Sequence, residues 1–134
     1  MQLLDEAIKT VVTNHLQALE AHFKGDVVFY YGSIDIGIIR PFRDFVEKLA
    51  DVTSCERKRL IFFLNSPGGS AEAAEKMVEI IRHHYSEVFF IIPDFAFSAG
   101  TILCMSGDRI YMDYSSSIGP IDPQVWNGKD WVPA

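Results

Sequence analysis

With 134 residues, 49% hydrophobic and 22% charged, the chain has the size and balance of one soluble globular domain that can bury a substantial core. A net charge of −6, with Arg57-Lys58-Arg59 as the one basic cluster, argues against a nucleic-acid surface. Two cysteines, Cys55 and Cys104, lie outside any metal-ligand spacing and read as reduced thiols of a cytoplasmic protein, so neither metal nor cofactor is expected.

From Leu3 to Phe23 apolar residues recur at Leu4, Ile8, Val11, Val12, Leu16, Leu19 and Phe23, the spacing of a helix with one apolar face. Gly25 is its stop signal, and His15 and His22 read as surface residues. Val27 to Tyr31 is a first strand, ended by Gly32. Ile34 to Leu49 carries Ile38, Ile39, Phe42, Phe45, Val46 and Leu49 at helical intervals, with Pro41 tolerable near the first turn. Arg57-Lys58-Arg59 is expected to be solvated ahead of a second strand, about Leu60 to Leu64. A helix then runs from beyond Gly69 to Tyr85, followed by a third strand over Val88 to Ile92. Ser98 to Met105 reads as a helix packed into a core, and Arg109 to Met112 as a short fourth strand. After Met112 the polar Ser115-Ser116-Ser117 leads to turn-forming Gly119-Pro120 and Asp122-Pro123. Val125 to Val132 then looks like a hairpin whose Asn127-Gly128 suits a type I′ turn. The alternation predicts β-α units and a mostly parallel sheet, with ligands at the carboxyl ends of its strands. No apolar run approaches the ~18 residues of a membrane span.

Two strand-to-helix turns carry the chemistry. In Asn65-Ser66-Pro67-Gly68-Gly69-Ser70 the adjacent glycines let the backbone turn tightly and approach a ligand, at the start of the helix-forming Ala71-Glu72-Ala73-Ala74. In Phe95-Ala96-Phe97-Ser98-Ala99-Gly100 the pattern Ala-x-Ser-x-Gly is one substitution from the nucleophile elbow Gly-x-Ser-x-Gly. Each has a bland alternative: an ordinary turn for the glycines and a helix N-cap for Ser98. If neighbouring parallel strands carry the turns, they meet at one sheet edge.

Asn65-Ser66-Pro67-Gly68-Gly69 followed by Phe97-Ser98-Ala99-Gly100 resembles the Clp-protease fold of serine peptidases. The stretch from Ser115 through Ile118-Gly119-Pro120-Ile121-Asp122-Pro123-Gln124 is similar to a narrower branch, the serine dehydrogenase proteinase family. The resemblance implies a ClpP/crotonase-like α/β fold over residues 26–134, preceded by a helix over 1–25. It also implies Ser98 as nucleophile and an oxyanion hole of the Gly69 and Ala99 amides, shaped by Gly68. In the branch order Ser, Asp, His, Asp122 would be the orienting carboxylate. No histidine follows His84, so the base would lie beyond Ala134, in a domain that continues past this chain. Asp122 reads equally as a turn carboxylate beside Pro123. Lys129 is an alternative base, although a hairpin tip favours a solvated lysine, and His83 and His84 belong at the far end of the sheet. A peptide or protein substrate and a homo-oligomer (trimer, hexamer or ring) are implied. Relatives often carry a membrane segment before this domain, and its absence here sets a membrane location in doubt. A crotonase-like acyl-CoA enzyme and a non-catalytic binding or assembly module are the competing functions.

Overall fold

The structure, a computed structural model, describes residues 1–52, 58–121 and 124–133. The expectations placed on Cys55, Asp122 and Pro123 therefore lie outside the described residues. Four strands, β1 (Asp26–Tyr31), β2 (Arg59–Asn65), β3 (Glu87–Ile92) and β5 (Arg109–Met112), form one parallel sheet in the order β1-β2-β3-β5. Between them run α2 (Ile39–Val52), α3 (Ala71–His84) and α4 (Ala99–Met105), and α1 (Gln2–Phe23) precedes the sheet.

β2 and β3 are near-continuous apolar runs because both of their faces are covered. Leu60, Phe62, Leu64, Val88, Phe90 and Ile92 enter the main core with Phe42 and Val46 of α2, Met77 and Ile81 of α3 and Leu103 of α4. The alternate residues Ile61 and Phe89, with Val27, pack on the other side beneath Leu16, Leu19 and Phe23. The expected apolar face of α1 is thus used only along its C-terminal half. Leu4, Ile8, Val11 and Val12 stay at least half exposed, and no residue of α1 is fully buried.

Several local expectations change for identifiable reasons. It is Lys24, not Gly25, that takes the left-handed conformation ending α1 (φ 55°, ψ 53°). Gly25 is required by close approach, since a Cβ there would lie 2.6 Å from the Arg59 carbonyl oxygen. Arg59 is not a solvated lysine-like charge. Its guanidinium bonds Glu87 at 2.7 Å and the Phe23 carbonyl at 2.6 Å and lies 4.9 Å from the Phe89 ring centre, pinning α1 to the sheet. The hairpin of β7 (Gln124–Trp126) and β8 (Trp131–Pro133) forms, but Trp126 pairs with Trp131, so its loop has four residues. Asn127 Oδ1 accepts from the amides of Lys129 and Asp130, an Asx turn that replaces the type I′ geometry.

The larger difference is a second, small parallel layer at the carboxyl ends of the main strands. After β1, Ile34 does not begin a helix but bridges Gly69, and a 3-10 turn over Ile36–Ile38 leads into α2. After β2, Ser66 bridges Ala96 in β4 (Phe95–Ala96), and β4 pairs with β6 (Ser117–Ile118). Each main strand therefore bends and contributes a few residues to this layer. Asn65 helps to set the bend, its carbonyl accepting the Gly32 amide at 3.0 Å and its side-chain oxygen the Phe95 amide at 3.2 Å.

At the opposite end of the sheet Asp108 accepts from the Val88 amide (2.8 Å) and from Arg82 (3.0 Å). These two donors, the amide foremost, hold its carboxyl below the usual carboxylate range. A depressed pKa contributes stability above the unfolded-state value, and that stability is lost as pH falls through the folded one. Asp108→Asn should therefore melt below the wild type at pH 7, with the gap narrowing below about pH 4 in a calorimetric series. A gap unchanged across the series would show that the charge contributes nothing.

Candidate active site

The first turn of interest leaves β2 at Asn65. Ser66 is held as a strand residue, its amide donating to the Phe95 carbonyl (3.1 Å) and its carbonyl accepting from the Phe97 amide (3.0 Å). Gly68 and Gly69 follow with φ of 109° and 146°, backbone that side chains rarely adopt. Ile34 donates to Gly68 O (2.9 Å) and accepts from the Ser70 amide (2.8 Å). In parallel pairing the groups flanking Gly69 are the ones used, so the N–H of Gly69 itself points to the opposite side. A side chain at Gly69 would collide with the Ile34 carbonyl. Ser70, in extended conformation, then caps α3 with its hydroxyl on the Ala73 amide at 3.1 Å.

Ser98 occupies the same place ahead of α4 but behaves differently. Its backbone sits at φ 51°, ψ −118°, and its hydroxyl makes no cap hydrogen bond. Such a conformation costs a non-glycine residue about 1–3 kcal/mol and persists only where its surroundings over-determine it. Here the flanking Ala96 and Ala99 are buried, as are Gly100 and Leu103. Phe97, 39% exposed, stacks on Phe95 with ring centres 5.0 Å apart. A Cβ on Gly68 would lie 2.7 Å from Ser98 Cβ and 3.4 Å from the Ala99 nitrogen. The two Gly-bearing turns therefore meet, with Gly68, Gly69, Ser98 and Ala99 together at the carboxyl ends of the strands. As the first residue of α4, Ala99 has an N–H with no partner inside its own helix.

The other sequence candidates separate from this cluster. Gly119 runs alongside it, its amide on Ala96 O at 2.9 Å and its Cα against the Phe97 ring. Asp122, three residues on, lies outside the described residues. Lys129 is exposed in the loop between β7 and β8. His83 and His84 close α3, at the opposite end from its Gly69-Ser70 start, and His15 and His22 belong to α1. Cys104 is buried, and desolvation pushes its thiol up to about 11, so it is no competing nucleophile at neutral pH. Sequence reasoning passed over Ser66 and Thr101, whose hydroxyls are built into this region. No group of His, Cys, Asp and Glu among the described residues could hold a metal ion, and no helix among them is long and apolar enough to cross a membrane.

A parallel sheet whose strands bend into a second parallel layer, with a glycine turn and a serine elbow at the junction, defines the ClpP/crotonase-like class of α/β proteins. Solved structures agree. ClpP1 of Listeria monocytogenes superposes with a TM-score of 0.53 at 21% identity, over 60% of this chain and 46% of that one. The 1510-N membrane-bound stomatin-specific protease, as a lysine-to-alanine mutant in complex with a substrate peptide, superposes with a TM-score of 0.65 at 25% identity, over 82% of this chain and 51% of that one. The chain belongs to the ClpP-like SDH-type serine proteinases, whose family model matches residues 46–130. Among curated proteins it is 34% identical over 68 residues to the uncharacterized protein MJ0137 of Methanocaldococcus jannaschii, covering 51% of this chain and 24% of that protein. A second uncharacterized protein of the same organism, MJ1495, is 36% identical over 62 residues, covering 46% and 21%. The chain thus spans about a quarter of the length of these relatives.

The convergence of the two turns makes a prediction with its own control. Gly68→Ala combines a positive-φ penalty with overpacking against Ser98 and should cost about 2–5 kcal/mol. Gly32 also has positive φ (141°), but a Cβ there meets nothing within 4 Å, so Gly32→Ala should cost only the conformational part. Equal losses for the two variants in urea unfolding would mean that Gly68 does not sit against Ser98.

Proposed function

We propose that the chain carries the nucleophile and oxyanion hole of a serine endopeptidase. The observation behind this reading is the contrast between two serines at equivalent helix starts. Ser70 spends its hydroxyl on capping α3, whereas Ser98 holds a strained backbone beside Gly68 and leaves its hydroxyl off the helix. Strain at a single residue, supported by a buried surround, is a recurrent property of reactive positions. Membership of a serine proteinase family agrees with it.

In this reading Ser98 Oγ attacks the carbonyl carbon of a peptide bond and gives up its proton to a base. The carbonyl oxygen becomes an oxyanion held by the N–H groups of Gly69 and Ala99, while Gly68 keeps the turn close enough for both to reach it. Collapse of the tetrahedral species breaks the C–N bond, and the amine leaves with the proton from the base. Water then hydrolyses the Ser98 ester. The substrate is a peptide or protein segment, as in the 1510-N complex with its substrate peptide.

The proton acceptor has two candidate sources in this reading. Asp122 is proposed as the carboxylate that orients a histidine, and no histidine follows His84 in the 134 residues. Within the 134 residues Lys129 is the alternative base; a histidine in that role would have to come from elsewhere, another copy of the chain included. Assembly into a homo-oligomer and a cytoplasmic location complete the reading.

Intact mass after treatment with a serine-directed fluorophosphonate tests the assignment in the full-length natural protein. A single adduct is expected, lost in Ser98→Ala with unchanged melting behaviour, together with loss of peptide hydrolysis. Loss of one oxyanion donor typically costs about 100- to 1,000-fold in rate, and removal of the nucleophile should cost more. An adduct that persists in Ser98→Ala, or no adduct on the wild type, would overturn the reading.

A further inference from the structure

Among the described residues, Tyr85 aside, whose hydroxyl donates to Asp26, the buried hydroxyl side chains are Ser66 at 0% and Thr101 at 3% exposure, and both flank the Ser98 turn. Burying a hydroxyl is unfavourable unless it is hydrogen-bonded, so alanine and valine would fill the same space at lower cost. What the hydroxyls touch suggests why they are there. Ser66 Oγ accepts the amide of Gly68 at 3.1 Å, fixing the Pro67–Gly68 peptide plane one residue ahead of Gly69. Its Cβ faces Gly100, where an added Cβ would lie 3.3 Å away, so Ser66 also backs the first turn of α4. Thr101 Oγ1 lies 2.9 Å from Ala96 O and 3.0 Å from Gly119 O, one proton shared between two carbonyls. Ala96 O accepts in addition from the Gly119 amide. Three segments of the small layer, those of Ser66, Ala96 and Gly119, are thus joined to the helix that follows Ser98.

We infer that Ser66 and Thr101 are positioning residues, a hydroxyl clamp that holds the Gly68-Gly69 turn and the Gly119 stretch in register with Ser98. The inference rests on Ser98 being the nucleophile. Ser66 sets one oxyanion donor through Gly68, and Thr101 sets the distance between Ser98 and the chain leading to Asp122. Neither touches the reacting atoms. A misplacement of about 1 Å at such a centre can cost on the order of 100-fold in rate.

Three variants of the full-length protein separate this from a purely structural role. Thr101→Val keeps the shape and removes the donor, Thr101→Ser keeps the donor, and Ser66→Ala removes the acceptor. The fluorophosphonate labelling rate should fall about 10- to 100-fold in Thr101→Val and Ser66→Ala, and Thr101→Ser should recover most of it. Amide hydrogen exchange supplies a readout independent of reactivity. The Gly119 amide should exchange faster in Thr101→Val and the Gly68 amide faster in Ser66→Ala, while Phe62 in the main sheet keeps its wild-type rate. If Thr101→Val does not fold, Ser66→Ala alone decides through the Gly68 amide and the labelling rate. Wild-type exchange at both glycines, or Thr101→Ser labelling no faster than Thr101→Val, would overturn the clamp. An adduct that survives Ser98→Ala would instead overturn the nucleophile, and with it the catalytic purpose of the clamp.

Discussion

The close approach of Gly68 to Ser98 is the constraint on which the rest of this structure depends. Two backbone segments that belong to different strands and different helices come so near that no side chain fits between them. Such an approach is possible only if both strands are parallel, adjacent and in fixed register, because an error of one residue would turn every side chain to the wrong face. β2 and β3 meet that requirement, pairing Leu60 with Val88 and Phe62 with Phe90 in an unbroken ladder. The small second layer carries the register past the end of the sheet, through Ser66 opposite Ala96, to the two residues that matter.

The energetics follow the same geometry. Holding Ser98 at positive φ costs about 1–3 kcal/mol, and the residue makes no capping bond to offset it. Burying one leucine side chain contributes about 1.5–3 kcal/mol, and Leu103, on the same short helix, is fully buried. With Ala99 and Cys104 also buried, α4 is anchored strongly enough to keep Ser98, the residue ahead of it, strained. A helix of seven residues has little stability of its own, so its packing against α3 and β2 supplies what holds the elbow.

Much of this was legible in the sequence, for reasons that are local. The apolar runs around Phe62 and Phe90, the helical spacing after Gly69 and the two glycine-bearing turns each fall within a short window, and all appear where expected. The second layer was not legible because it is made of one or two residues per strand, too short for alternation to register. Ile34 illustrates this: its pattern continues that of the following helix, yet its backbone pairs with Gly69 across the chain. Arg59 was misjudged because a basic trio looks solvated until the Phe23 carbonyl and Glu87 are placed beside it. Ser66 and Thr101 read as ordinary small polar residues, and only their burial distinguishes them. The conformation of Ser98 was likewise invisible, since the letters Ala-x-Ser-x-Gly fit a capping serine as well as a strained one.

The two halves of acyl-transfer chemistry also differ in how far apart their parts lie. A nucleophile and its oxyanion donors can be made from two turns, because the donors are backbone N–H groups whose direction the fold already dictates. A general base needs a particular side chain at hydrogen-bond distance, and it can come from any part of a chain or from another copy. On the proposed assignment this chain would concentrate the first half within residues 65 to 101, among neighbouring strands, two glycines and two buried hydroxyls. Oxyanion stabilisation and binding alone leave a serine hydrolase with about 1,000- to 10,000-fold acceleration over water when its triad is removed. On the proposed assignment the geometry at Gly68 and Ser98 would have catalytic value in its own right, and the base would determine how much of the remaining acceleration is realised.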